Sequence, residues 1–348
     1  MVEPTDIAST PATPDSAPSG LARVLALLQR YPWLLPLVSF LFGWTSYVLV
    51  ERGEHMARAI AALALLGWPW LLAESLLGQW LHRRTSGALA VGAVRYLTQS
   101  VQLEILFFAL PFLIGATQFD AGHFAFTAVA AVAALVCSID PLYSRYVAER
   151  PFVSVIFQAW CNFIGALVVL PLAARLSLEY AVPLAFAITG ALLLVSLPRA
   201  LAQAGALQRV LRLLLLAAAP AGLWLLRAEI PAAGLRVSDA RITQTVSDSL
   251  EPGPALENLS AANLVAEGAV AFIAVRAPAG LSQSVEFVWT REGEVLDHIG
   301  ASISGGREAG YRIYSRKHAF PEDPRGRWQV DLRTPQGQLI CRLRFAVD

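Results

Sequence analysis

The chain has 348 residues, 56% of them hydrophobic and 15% charged, with a formal net charge of +1. That is too apolar for a soluble globule of this length, and too weakly basic for a nucleic-acid binder, which needs a marked cationic excess to neutralise phosphates. Cys137 and Cys161 lie inside apolar runs and Cys341 has no partner in its own region, so neither a disulfide framework nor a CxxC metal site can be built.

Residues 1–20 are rich in Pro, Ser, Thr and Ala without apolar periodicity, the composition of a disordered tail. This tail lacks a basic n-region and a clean cleavage site, and is expected to be retained. Leu21–Gln29 reads as a short amphipathic helix at a membrane surface. Seven apolar runs follow, each near the length that crosses about 30 Å of hydrocarbon. They are Trp33–Val50, Ala57–Leu81, Val101–Phe119, Phe124–Ile139, Phe152–Ala174, Tyr180–Leu197 and Val210–Leu226. The fourth and seventh are the shortest, with 16 and 17 residues. Trp33, Trp44, Trp80, Tyr96, Tyr143, Tyr180 and Trp224 lie near run ends, as an interfacial aromatic belt would. Within the longer loop 82–100, Ser86–Val94 is expected to form an interfacial helix. Asp140-Pro141-Leu142-Tyr143 reads as a helix stop and a tight loop.

Arginine placement sets an expected sidedness. With the N-terminus inside, the inner flanks hold Arg23, Arg30, Arg83, Arg84, Arg95, Arg145, Arg150, Arg199, Arg209 and Arg212. The outer flanks hold Arg52, Arg58 and Arg175. Ten against three is a strong positive-inside bias, and it requires the seventh run to cross to the outside. If that run instead lay on the surface, everything after it would be cytoplasmic.

After Ile230 the hydrophobic period changes from helical to alternating. Arg236–Thr245, Val270–Val275, Val285–Thr290, Val295–Ser302, Gly310–Lys317, Arg327–Arg333 and Leu339–Val347 read as strands. Glu292-Gly293 predicts a tight hairpin, Ser304-Gly305-Gly306 a looser one, and Thr334-Pro335-Gln336-Gly337 a proline turn. Val285, Phe287 and Trp289, Trp328, Val330 and Leu332, and Leu339, Cys341, Leu343, Phe345 and Val347 have the parity of inward faces. The expected fold is thus an α-helical polytopic membrane domain of about seven transmembrane helices over 21–227. An all-β, immunoglobulin-like antiparallel sandwich follows over 228–348.

The stretch Phe287-Val288-Trp289, Gly310-Tyr311-Arg312-Ile313-Tyr314-Ser315-Arg316-Lys317, Gly326-Arg327-Trp328-Gln329-Val330-Asp331 and Phe345-Ala346-Val347 resembles a bacterial family known as domain of unknown function 2914. The Arg-x-x-Ser-x-Lys and Gly-x-Trp-x-Val signatures carry the likeness, over about the last 65 residues. The multi-span half is similar, in architecture, to the family numbered 5924. The resemblance implies a class, a bacterial envelope protein with a C-terminal β domain, and assigns it no activity.

No P-loop, Rossmann glycine pattern, HExxH or GxSxG occurs, so no catalytic residue, metal ligand or cofactor is assigned. Whether the protein is an enzyme stays open. The five histidines are scattered, and a surface or interfacial position is expected for each. Ionisable residues within spans cost at least about 2.5 kcal/mol at the bilayer centre unless paired or solvated. Glu74 and Glu104 are such residues, joined by the amides Gln158 and Asn162, four apart on one helix face. They form either an intramembrane polar site of an enzyme or transporter, or contacts that hold helices together. Arg307–Arg344 contains nine basic residues against four acidic. Arg327, Arg333, Arg342 and Arg344 have outward parity on the last two strands, and Arg312, Arg316 and Lys317 lie on an earlier one. This is either a binding face for anionic headgroups, glycan or another envelope protein, or a solvated face with cross-strand ion pairs. The expected setting is the bacterial inner membrane, N-terminus cytoplasmic and β domain periplasmic. The bilayer is its partner there, and nucleic acid is not. The expected role is non-enzymatic, a β domain presented for binding or envelope assembly.

Overall fold

The computed structural model describes residues 88–348, apart from 120, 121 and 203, with six helical positions between Leu37 and Thr45. The tail, the surface helix Leu21–Gln29, the run Ala57–Leu81 with Glu74, and most of the first run lie outside the described residues.

The remaining five apolar runs each coincide with a helix. They are α1 (Ala88–Ala116), α2 (His123–Ser138), α4 (Pro151–Ala173), α5 (Leu178–Leu201) and α6 (Ala206–Leu225). Four of these are long and apolar enough to cross a membrane. The fifth, α2, reaches that standard only together with the segment after it, from which it is bent by 102°. Of the expected interfacial helix Ser86–Val94, the described residues 88–94 continue unbroken into α1. The polar residues of the turn that follows have partners across the helix end. Arg95 reaches Ser144, and Gln99 Nε2 donates to Asp140 Oδ1 at 2.8 Å. Asp140–Tyr143 is a short helix, α3, rather than a tight loop. Pro141 sits in its first turn, and a π-helical turn Ser144–Ala148 carries the chain on to α4.

Helix α4 is the centre of the bundle, with α1 on one side and α5 on the other. Aromatic contacts run across it: Phe126 of α2 meets Trp160 at 5.2 Å between centroids, and Phe163 meets Phe186 of α5 at 4.7 Å. Phe186 then meets Trp224 of α6 edge-on at 5.2 Å. These tilted and edge-on aromatic pairs fill the space between the helices. Phe40, one of the described positions in the first run, packs edge-on against Phe107 of α1. By contrast α6 is peripheral. None of its residues is buried, and only one stripe, Arg212, Leu216, Pro220 and Leu223, is shielded by the bundle.

The C-terminal part holds two sheets. Strands β1 (Arg236–Thr243), β3 (Ala269–Arg276) and β6 (Tyr311–Lys317) form one, in the order β1-β3-β6. The other has the order β2-β8-β7-β4-β5, with β2 Asn258–Leu259, β4 Ser282–Arg291, β5 Glu294–Ser304, β7 Gly326–Arg333 and β8 Leu339–Val347. All pairs are antiparallel except β2 with β8. The inward parity read from sequence is the observed one. Phe287, Trp289, Trp328, Val330 and Leu332 of one sheet share a core with Ala271, Ile273, Val275 and Ile313 of the other. Trp289 Nε1 donates to Ser315 Oγ at 2.9 Å, a buried bond from sheet to sheet.

The turns follow their chemistry with one exception. Glu292 and Gly293 both have positive φ, 46° and 89°, which is the primed two-residue turn that suits strand twist. Gly337 closes the β7–β8 turn onto Thr334 O at 2.8 Å. Ser304-Gly305-Gly306 does not make a hairpin: β6 leaves for the other sheet and pairs with β3. The reason is local. Gly305 N–H bonds Leu281 O and Gly306 N–H bonds Ala277 O, and a Cβ at Gly305 would overlap the carbonyl of Pro278. The chain is pinned to the β3–β4 link and so crosses over. A short helix α7 (Ala261–Glu267) was also not foreseen. Ser260 caps it by accepting from Asn263 N–H at 3.2 Å, and Gly268 ends it at φ 77°.

Candidate functional site

Five chain passages meet the β sheets at one end of the bundle: the exit of α1, the entry of α2, the α4–α5 turn, the entry of α5 and the exit of α6. Gln118 Nε2 donates to Ile340 O of β8 at 3.0 Å. Gln283 Oε1 of β4 accepts the backbone N–H of Leu178 at 2.7 Å, and Gln338 Nε2 donates to Ile230 O at 3.1 Å. Leu178 belongs to the β core, and Ile230 and Ala233 to the helical core, so the two interlock. The segment after α6 is therefore a packed wedge. Ile230, Ala232, Ala233 and Leu235 are buried, and Gly234, at φ 96°, lies against Pro171. Uncharged amides suit such a seam, because each satisfies backbone groups at helix ends and strand ends without the desolvation cost of a charge.

Titratable groups gather along the seam. His123, for which a surface or interfacial position is expected, lies fully buried at the start of α2. Its Nδ1 faces the amide of Gln118 and its Nε2 the carbonyl of Ala228, at 3.5 and 3.4 Å. Glu229 packs against Gly122 so closely that a Cβ there would collide with its carboxylate. On β7, Asp331 is 1% exposed and is clamped by two arginines. Arg342 bonds both its oxygens, at 2.8 and 2.9 Å, and Arg333 bonds Oδ2. Burial alone would raise the Asp331 carboxyl, but the hydrogen bonds and charges of Arg342 and Arg333 outweigh it and hold the group below the usual carboxylate range.

The seven basic residues singled out from sequence divide between the two sheets. Arg312 and Arg316 lie on the outer face of the three-stranded sheet. Arg312 Nη1 bonds the carbonyls of Ser249 and Leu250, both at 3.2 Å. It thereby ties down the loop 244–257. Phe272 of β3 is buried although its parity is outward. Lys317 points inward, pairs with Asp297 of β5 and lies over the Phe320 ring. On the outer face of the five-stranded sheet, Arg327 pairs with the hairpin residue Glu292, and its amide and guanidinium lower that carboxyl. Arg333 and Arg342 hold Asp331, and Arg344 stands opposite Gln329, exposed. Ion pairs within the domain thus engage Lys317, Arg327, Arg333 and Arg342: across neighbouring strands for Arg342, along one strand for Arg333, onto the hairpin turn for Arg327 and from sheet to sheet for Lys317. Arg316 makes no ion pair among the described residues.

The intramembrane candidates are likewise separated. Glu104 is exposed on α1. Gln158 and Asn162 are buried between α4 and α5, where with Ser196 and Leu192 they line a small polar gap. Asn162 Oδ1 has no hydrogen-bond partner there. No cluster of three metal-binding side chains occurs among the described residues. What sequence reading missed is the seam itself. Gln118, His123, Gln283 and Gln338 are isolated polar residues at the ends of apolar stretches, and that position was their one visible signal.

Residues 282–347 match the protein family of unknown function DUF2914, which takes in β4 to β8. Residues 15–271 match the family of unknown function DUF5924, a span that passes through the last helix and β1 and ends inside β3. No curated protein and no solved structure matches the chain. The N-terminal match covers most of the molecule, helices, seam and first strands together, and the chain belongs to the DUF5924 family with a DUF2914 region at its C-terminus.

Proposed function

We propose that this is a non-enzymatic protein of the bacterial inner membrane that holds an immunoglobulin-like β domain in the periplasm to bind another envelope protein. The observation that carries the reading is the charge difference between the two ends of the bundle. The end away from the sheets bears Arg95, Arg145, Arg150, Arg199, Arg209 and Arg212. The end under the sheets bears Arg175 and Arg227. Positive residues stay cytoplasmic, which puts the sheets outside. By their apolar length the sequence runs Trp33–Val50 and Ala57–Leu81 would add two crossings, for seven in all with a cytoplasmic N-terminus.

The partner surface is the free edge of β5. This strand has 11 residues, pairs only with β4, and exposes Val295, Leu296 and Ile299. Long edges with exposed apolar residues invite strand addition, and on β5 the charges Glu294 and Asp297 and the register shift at Leu296 lie only toward the hairpin end. An extended segment of another envelope protein fits such an edge. The arginines, mostly bonded within the domain, leave less for an anionic ligand.

A photo-crosslinking residue at Leu296 in living cells tests this. A discrete crosslinked adduct, lost when Val295 is changed to Lys, is the expected result. Adduct formation only from position 344, on the arginine face, would overturn the choice of surface.

A further inference from the structure

We propose that the corner where α4 begins, α5 ends and α6 begins binds the phosphate of an anionic phospholipid, whose acyl chains lie along α6. The reading requires that these helices cross the bilayer, and it is independent of which side the β domain occupies.

Arg199, in the last turn of α5, reaches Ser154 of α4, Nη2 to Oγ, at 3.5 Å. Arg212 of α6 places its guanidinium 5.2 Å from the centroid of the Phe152 ring and donates to the carbonyls of Ala200 and Ala202 at 2.7 and 3.4 Å. Three helices thus contribute to one cationic corner. Arg209 lies one turn before Arg212, is exposed, and makes no ion pair among the described residues. Its place is electrostatically wrong for an isolated helix. The start of a helix carries partial positive charge and favours acids, yet the first turn of α6 has none and two arginines follow close behind. An anion at this corner reverses the balance, since the dipole and the guanidinium forks then act on it together.

The rest of α6 says what the anion is attached to. Beyond the stripe that touches the bundle, Val210, Leu211 and Leu214 are more than half exposed. Those side chains need a hydrocarbon neighbour, and a basic pocket between helices at one membrane face is the setting in which acidic headgroups are held.

Native mass spectrometry of the full-length protein in detergent, with phosphatidylglycerol or phosphatidylcholine added, tests the proposal. Phosphatidylglycerol should be retained preferentially. Arg209→Gln, which removes no bond within the fold, should lower that retention about fivefold, the effect of roughly 1 kcal/mol for one arginine at a headgroup. Arg145→Gln removes the same charge from the same end on a different element, and should leave retention unchanged. Equal retention of the two lipids, no loss in Arg209→Gln, or an equal loss in Arg145→Gln would each overturn the site.

Discussion

Leu178, the first residue of α5, donates its backbone N–H to Gln283 Oε1 of β4 at 2.7 Å, so that a strand side chain caps a helix of the bundle. The opening N–H groups of any helix lack partners within it, and here one is satisfied from the other half of the molecule. Gln283 is fully buried, and its own Nε2 is bonded to Ser284 O at 2.9 Å. Gln283→Leu keeps the volume and removes both bonds. It should cost about 1–3 kcal/mol through the orphaned Leu178 N–H. Hydrogen exchange should then quicken at residues 178–181 while the sheet core stays protected; unchanged exchange there would separate the two halves.

Asp331 makes the β domain sensitive to acid. Its carboxyl is held below its ordinary range, so its contribution is fully present above that range and is lost as pH falls through the lowered value. Asp331→Asn should destabilise the domain at neutral pH by about 3 kcal/mol, since Arg342 loses the charge it was folded against. It should also flatten the acid limb of the stability curve. A variant as acid-sensitive as the parent would assign that limb to other groups.

The two sheets are joined by the bond from Trp289 Nε1 to Ser315 Oγ, at 2.9 Å in the core. Ser315→Ala leaves the indole N–H buried and unpaired, at a cost of about 1–3 kcal/mol. Trp289→Phe removes the donor but also part of the largest side chain in the core, and should cost more. Chemical unfolding followed by tryptophan fluorescence orders the two variants.

Arg312 tests whether the basic residues of the three-stranded sheet are structural. Arg312→Ala frees the carbonyls of Ser249 and Leu250. The loop 244–257 should then exchange faster, with a local stability loss of about 1 kcal/mol and no change in global unfolding. Arg316→Ala, on the same strand face, should change neither.

Much of this architecture was legible. Alternation at Phe287, Trp289, Trp328, Val330 and Leu332 depends only on the two-residue period of a strand, and it fixed the core face without any knowledge of pairing. The apolar runs likewise marked the helices, because length and hydrophobicity suffice. Contacts between distant parts were hidden. Nothing local in Gly305 says that the chain will be pinned to Pro278 and cross to the second sheet. Gln118, Gln283 and Gln338 read as unremarkable polar residues because their partners are backbone groups 222, 105 and 108 positions away. The arginines were legible in part. Ion pairs of these arginines with Asp331 and with a glutamate are expected as the alternative to a binding face. That Arg342 would be the residue beside Asp331, and that Arg312 would hold loop carbonyls, depends on which parts of the chain become neighbours.

The central claim is the proposed sidedness, with the sheets in the periplasm and the arginine-rich helix ends in the cytoplasm. Alkaline phosphatase fused after Asp348 in a bacterial host tests it most directly, because the enzyme matures only in the periplasm. High activity is the predicted result, with a fusion placed between Tyr143 and Glu149 inactive. A stably produced C-terminal fusion without activity, paired with an active fusion at that second position, would contradict it.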